Sequence, residues 1–73
     1  MRAQPVAPEL QRAVQLHQAG RLAEAEPLYV RWLRANPGEV SGTYFLAGLR
    51  LQQGRAAEAA TLLRQALQRD PGH

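Results

Sequence analysis

The sequence predicts an all-α protein of four helices, arranged as two copies of one helical hairpin. Three observations carry that prediction. Shifting the 73-residue chain against itself by 34 positions aligns 5–38 with 39–72, and 12 of the 34 aligned pairs are identical. A period of that length marks a repeat architecture, in which each unit buries its apolar face on the next. Within each unit apolar residues recur at helical spacing, and glycine and proline fall at matching places between them. A single domain over 1–73 follows, with one repeat at about 5–38 and the other at about 39–72.

The first helix is expected over 8–19. Pro8 suits its first turn because the ring presets φ and no helical N–H is lost there. Leu10, Ala13, Val14 and His17 share one face, with Leu16 beside them. Gly20 follows as a left-handed cap that needs no Cβ. The second helix, over 22–35, places Ala25, Leu28, Tyr29, Trp32 and Leu33 on one face. Asn36-Pro37-Gly38 ends it, since the residue before proline avoids the α region. Pro27 is the one breaker inside a helix; near the first turn and off the apolar face, it is expected to kink the helix and not break it. The third helix, over 40–53, carries Tyr44, Phe45, Leu46, Ala47, Leu49 and Leu51, and a helix apolar nearly all round is covered on more than one side. Gly54 repeats the role of Gly20. The fourth helix, over 56–69, aligns Ala59, Leu62, Leu63, Ala66 and Leu67 and stops at Asp70-Pro71-Gly72. Glu24 and Glu58 sit at matching helix starts, where a carboxylate favours the positive end of the dipole.

Composition narrows the function classes. Ala (13) and Leu (11) must build the core, because aromatics are only 5% of the chain. With no Cys there are no disulfides and no Cys-ligated zinc. No apolar run is long enough for a membrane span, and MRAQPVAP has no apolar stretch of the secretory kind. A cytoplasmic protein is the default expectation. All nine cations are arginine, and six carboxylates leave a net charge of +3. Basic charge is one footprint of nucleic-acid binders, but these arginines are dispersed from Arg2 to Arg69, so genome composition explains them better.

These residues resemble the tetratricopeptide repeat, a 34-residue helix–turn–helix whose pattern runs W-x₂-L-G-x₂-Y, then A-x₃-F, then P. The second unit supplies Leu46-Ala47, Ala59 with Leu63, and Pro71; the first supplies Ala13, Ala25 with Tyr29, and Pro37. The segments GRLAEAEPLY and GRAAEAATLL are similar to the turn and second helix of bacterial members. The resemblance covers 5–72 and implies two hairpins, four antiparallel helices in all, stacked as a short right-handed α-solenoid. Several positions depart from the pattern. Its Trp is Glu9 and Thr43, its Leu is Arg12 in the first unit, and its Tyr is Arg50 in the second. Trp32 stands where a small residue is usual, so its indole is expected to spread the helices or fill the gap left by Glu9.

A catalytic site has little to stand on. There is one serine, Ser41, and no Cys or Lys; His17 has no nucleophile or acid placed for it by any motif. His17 reads as a half-buried helix residue. No carboxylate–His spacing typical of metal sites occurs, and no cofactor is expected. The resemblance instead implies a groove lined by the first helices of successive repeats, which accepts a peptide or a partner helix. Helical phase then assigns Leu10, Val14, His17 and Gln18 to that groove from the first unit. The second unit adds Ser41, Tyr44, Gly48, Leu51 and Gln52. Tyr44 is the most attractive contact, being large with a hydrogen-bonding tip; Leu10, Val14 and Leu51 have an equally good reading as packing residues. Members that hold the C-terminal carboxylate of heat-shock chaperones use Lys, Asn and Arg in the groove. Leu10, Val14, Tyr44 and Gly48 in those places imply no such clamp.

The leading expectation is a non-catalytic protein–protein interaction module. About three repeats are customary for a stable array, so two invite a neighbour on the last helix, either through self-association or as a fragment of a longer array. Similar repeats also precede enzymes such as bacterial glycosyltransferases and sulfotransferases, which makes an accessory segment the second expectation. A small basic nucleic-acid binder using Arg31, Arg34, Arg64 and Arg69 is the third.

Overall fold

The computed structural model of the chain describes residues 8–69. Four helices follow in order: α1 Pro8–Gln18, α2 Leu22–Ala35, α3 Val40–Gln52 and α4 Ala56–Arg69. They agree with the expected spans to within one residue at each end. Ala19 and Gln53, expected as helical, are turn residues that cap α1 and α3. The Asp70-Pro71-Gly72 stop lies outside the described residues, as does the chain before Pro8.

Both first helices end in the same way. Gly20 and Gly54 have φ of 81° and 79°, the left-handed conformation that glycine adopts without a Cβ clash. In the first unit Gly20 N–H donates to the His17 carbonyl at 3.0 Å and Arg21 N–H to the Leu16 carbonyl at 2.9 Å. In the second, Gly54 reaches the Leu51 carbonyl at 3.0 Å and Arg55 the Arg50 carbonyl at 2.8 Å. These paired bonds satisfy carbonyls that a helix end leaves open. The next helix starts within two residues, its first-turn carboxylate held by the preceding arginine. Arg21 pairs with Glu24 and Arg55 with Glu58, each at 2.7 Å. Pro27 leaves α2 unbroken from Leu22 to Ala35.

Helix α1 packs on α2 and α3 on α4, forming two hairpins. Helix α3 then packs against α2 and touches α1, while α2 and α4 do not meet. The first helices are in contact and the second helices are not, so α1 and α3 lie side by side; the face they share is the inner face, named for the groove that the repeat implies. The core consists of Leu10, Ala13, Ala25, Tyr29, Leu46 and Leu49, with Val14, Leu28, Trp32, Leu33, Phe45 and Leu62 packed around it. Tyr29 is fully buried; its ring stacks on Phe45 with centroids 6.0 Å apart and meets the His17 ring in a T-shaped contact at 5.7 Å. Alanines at 25, 59 and 66 are buried.

Room for the Trp32 indole comes from Gly42, in the first turn of α3, and not from Glu9. A Cβ at position 42 would lie 2.7 Å from Trp32 Cδ1 and 3.1 Å from both Trp32 Nε1 and Leu33 Cδ2. The indole N–H reaches Glu39 Oε1 at 3.4 Å, and the same oxygen accepts the Gly42 backbone N–H at 3.0 Å. Glu39 thereby caps α3 and joins it to α2. Glu9, Arg31, Trp32, Ala35 and Asn36 border a small cavity of about 140 Å³, so the gap beside Glu9 is not filled by the indole.

Candidate functional site: the inner face

The inner face is built from α1 and α3, and the structure divides the expected groove residues by depth. Leu10 is 1% exposed and belongs to the core. Val14 is half-buried and packs on that core. Ser41, Tyr44 and Gly48 are half-buried, whereas Gln18 and Gln52 are exposed. Leu51 is 54% exposed, a large apolar side chain standing in water on α3. The outward-facing part of the set is thus Gln18, Tyr44, Leu51 and Gln52, with Gly48 between them and Leu10 beneath.

His17 is half-buried and fully engaged. Its Nε2 meets Gln52 Oε1 and its Nδ1 lies 2.8 Å from the Tyr29 hydroxyl. A glutamine carbonyl can only accept, so Nε2 carries the proton and Nδ1 accepts from the tyrosine O–H. This chain of two bonds runs from α2 through α1 to α3 and crosses the repeat boundary. It also satisfies the one polar atom of Tyr29, whose burial pushes its pKa up to about 12. Gly48 lies under the imidazole, a Cβ there falling 3.8 Å from His17 Cε1. His17 is therefore a brace between repeats; on the exposed rim of this face stand the Gln18 amide and the NH2 of Gln52, whose carbonyl is taken by His17.

A second brace centres on Arg50, for which the sequence named no partner. Arg50, in the place of the pattern's tyrosine, has a side chain only 11% exposed. It pairs with Glu26 of α2 at 2.7 Å and with Glu58 of α4 at 3.3 Å. Gln53 donates to Glu26 at 3.2 Å and accepts from Arg50 and Arg55. The Arg50 hydrogen bond, then that of Gln53, holds the Glu26 carboxyl below its usual pKa against a smaller desolvation penalty. Burial pushes the Glu39 carboxyl up, but bonds from Gly42, Trp32 and Ser41 together outweigh it and hold the pKa down. The signal for Arg50 was present: a cation where the repeat has an aromatic, on a helix otherwise apolar, needs a carboxylate partner nearby. Its partners lie 24 and 8 positions away, beyond the reach of local spacing.

Among the described residues no group of three or more His, Cys, Asp or Glu side chains is placed to hold a metal ion. No helix among them is long and apolar enough to cross a membrane. No curated protein and no solved structure matches the chain. A family profile, tetratricopeptide repeat, matches residues 7–73. With the 34-residue period, the paired glycine caps and the two stacked hairpins, this match establishes that the chain belongs to the tetratricopeptide repeat family.

Proposed function

We propose that this chain is a non-catalytic interaction module that takes a peptide or helix of a partner protein on the inner face of α1 and α3. Tetratricopeptide repeats generally mediate protein–protein interaction. The observation that carries the finer reading is Leu51, more than half exposed on α3, the helix that at helical spacing also carries half-buried Tyr44 and exposed Gln52. Tyrosine is one of the residues on which binding hot spots are built, and an exposed leucine on the same helix adds apolar area to bury. None of the expected groove residues is charged, so the favoured partner segment is neutral at its contact point. Peptides selected from a random display library against the full chain test this. Selected peptides should lose roughly ten-fold or more in affinity on Leu51→Ala and on Tyr44→Ala, the range of an anchor residue. Equal affinity for both variants would overturn the reading.

A second reading is self-association through α4. Leu67 is 48% exposed, whereas Leu33, its equivalent in the first unit, is covered by α3 at Gly42. Leu63 is half-buried where its equivalent Tyr29 is fully buried. Sedimentation velocity over a wide concentration range should detect a dimer that Leu67→Arg dissociates. A monomer at all concentrations would remove this reading and leave the first intact.

A further inference from the structure

The outer surface of α2 has a groove that neither the hairpin packing nor the inner face accounts for. Ala23, Glu26, Pro27, Val30, Arg31 and Arg34 line it, and its volume is about 490 Å³. These residues follow one another at helical spacing, so the groove runs along the helix. We propose that it is a second docking surface, which takes an acidic, leucine-bearing amphipathic segment of a protein partner.

Charge sets the sign of that partner. Arg21, Arg50 and Arg55 are all paired with carboxylates, whereas Arg31 and Arg34 have no ion pair or hydrogen bond among the described residues. Glu9 borders a neighbouring cavity with Arg31 but makes no ion pair with it. The one acid in the groove, Glu26, is already held by Arg50 at 2.7 Å and Arg55 at 3.8 Å. An approaching carboxylate therefore meets two unpaired guanidiniums and, within the groove lining, no uncompensated negative charge; Glu9 lies outside it, on the neighbouring cavity that Arg31 also borders. Arginine is well suited to that role because its planar fork binds a carboxylate through two parallel bonds.

The floor selects for apolar groups as well. Ala23, Pro27 and Val30 form it, and Pro27 has no N–H to give the Ala23 carbonyl, which leaves a backbone acceptor without its usual helical donor. The repeat supplies an internal control. Pro27, Val30, Arg31 and Arg34 align with Thr61, Arg64, Gln65 and Gln68, and α4 forms a hairpin with those residues equally well. The hairpin therefore does not require the proline, the valine or the two arginines. A nucleic acid is the weaker match, since two arginines on one edge of an apolar strip neutralise few phosphates and stacking aromatics are absent from the lining.

Fluorescence anisotropy with a labelled helical peptide, leucines on one stripe and glutamates beside it, tests the proposal on the full chain. The peptide should bind wild type and lose at least about ten-fold in affinity to Arg31→Glu/Arg34→Glu, both exposed positions. Ala23→Arg, which obstructs the floor without removing positive charge, should weaken binding as well. Replacing the peptide's glutamates by glutamine or its leucines by alanine should each weaken it, and Leu51→Ala in the protein should not. Circular dichroism checks that each variant is folded. No binding to wild type overturns the proposal, as does undiminished binding to the double charge reversal. Equally tight binding of the leucine-free peptide or of an oligothymidylate would make the arginines a general polyanion patch and overturn it too. Loss on Leu51→Ala would move the contact to the inner face.

Discussion

Gly42→Ala probes the joint between the two repeats through a single methyl group. The new carbon would stand 2.7 Å from Trp32 Cδ1 and 3.1 Å from Leu33 Cδ2, where carbon atoms are comfortable at about 3.5–4.0 Å. The indole is rigid, so it must retreat by close to 1 Å or α3 must move off α2. Overpacking of this kind costs about 1–3 kcal/mol. Alanine returns up to about 1 kcal/mol of helix propensity, and less at the third residue of α3. The balance is a loss of about 0.5–2 kcal/mol, and for a domain of this size 1 kcal/mol moves Tm by roughly 4–8 °C. Trp32→Ala removes the obstacle and matches Ala66 in the second unit. In that background only the flexible Leu33 side chain, at 3.1 Å, must give way, so Gly42→Ala should become neutral to stabilising, by at most about 0.5 kcal/mol. Gly48→Ala is the companion control: its Cβ meets His17 Cε1 at an ordinary 3.8 Å, so it should stabilise by about 0.5–1 kcal/mol. Urea and thermal unfolding followed at 222 nm would measure the double-mutant cycle. A stabilising Gly42→Ala in wild type, or the same change in both backgrounds, would refute the close approach of Trp32 to α3.

Two further predictions concern pH. Glu26 and Glu39 both have pKa values held below 4.5 in the folded chain, so the unfolded chain binds protons first as pH falls. Their contribution is present above pH 4.5 and is lost as pH drops through the lower folded values. Tm should fall on acidification below that point, and Glu26→Gln should make the fall shallower. An unchanged acid slope in that variant would show that the Arg50–Glu26 pair contributes nothing to it. Tyr29 runs the other way: its pKa is raised from 10.0 to about 12 by burial, so its contribution is complete below pH 10 and is lost as pH climbs towards 12. Tyr29→Phe should flatten the alkaline slope of Tm between those limits, and an identical slope in the variant would count against a buried phenol.

Helix spans, caps and the hairpin order were legible in the chain because each has a local cause. A glycine at φ near +80° after α1 and α3, a proline after Asn36, and apolar residues three and four apart act within a turn or two of their own position. The 34-residue period added the one long-range statement available, that both halves adopt the same unit. The inner face was legible only in outline. Phase assigned Leu10 and Leu51 to one surface, yet they are 1% and 54% exposed, because α2 and α3 cover the first and nothing described covers the second.

Tertiary structure decided how the side chains on those faces are used. His17 read in the sequence as a half-buried helix residue without named partners, and its nitrogens are engaged by Tyr29 and Gln52, 12 and 35 positions away. Trp32 looked like a misfit in its own unit, and the compensating residue is Gly42 in the next. Arg50 looked like a departure from the repeat, and it ties α3 to helices on both sides. The physical reason is the same in each case. Periodicity sets the face a residue occupies on its own helix, whereas its burial and its partners depend on how closely and at what angle another helix crosses that face.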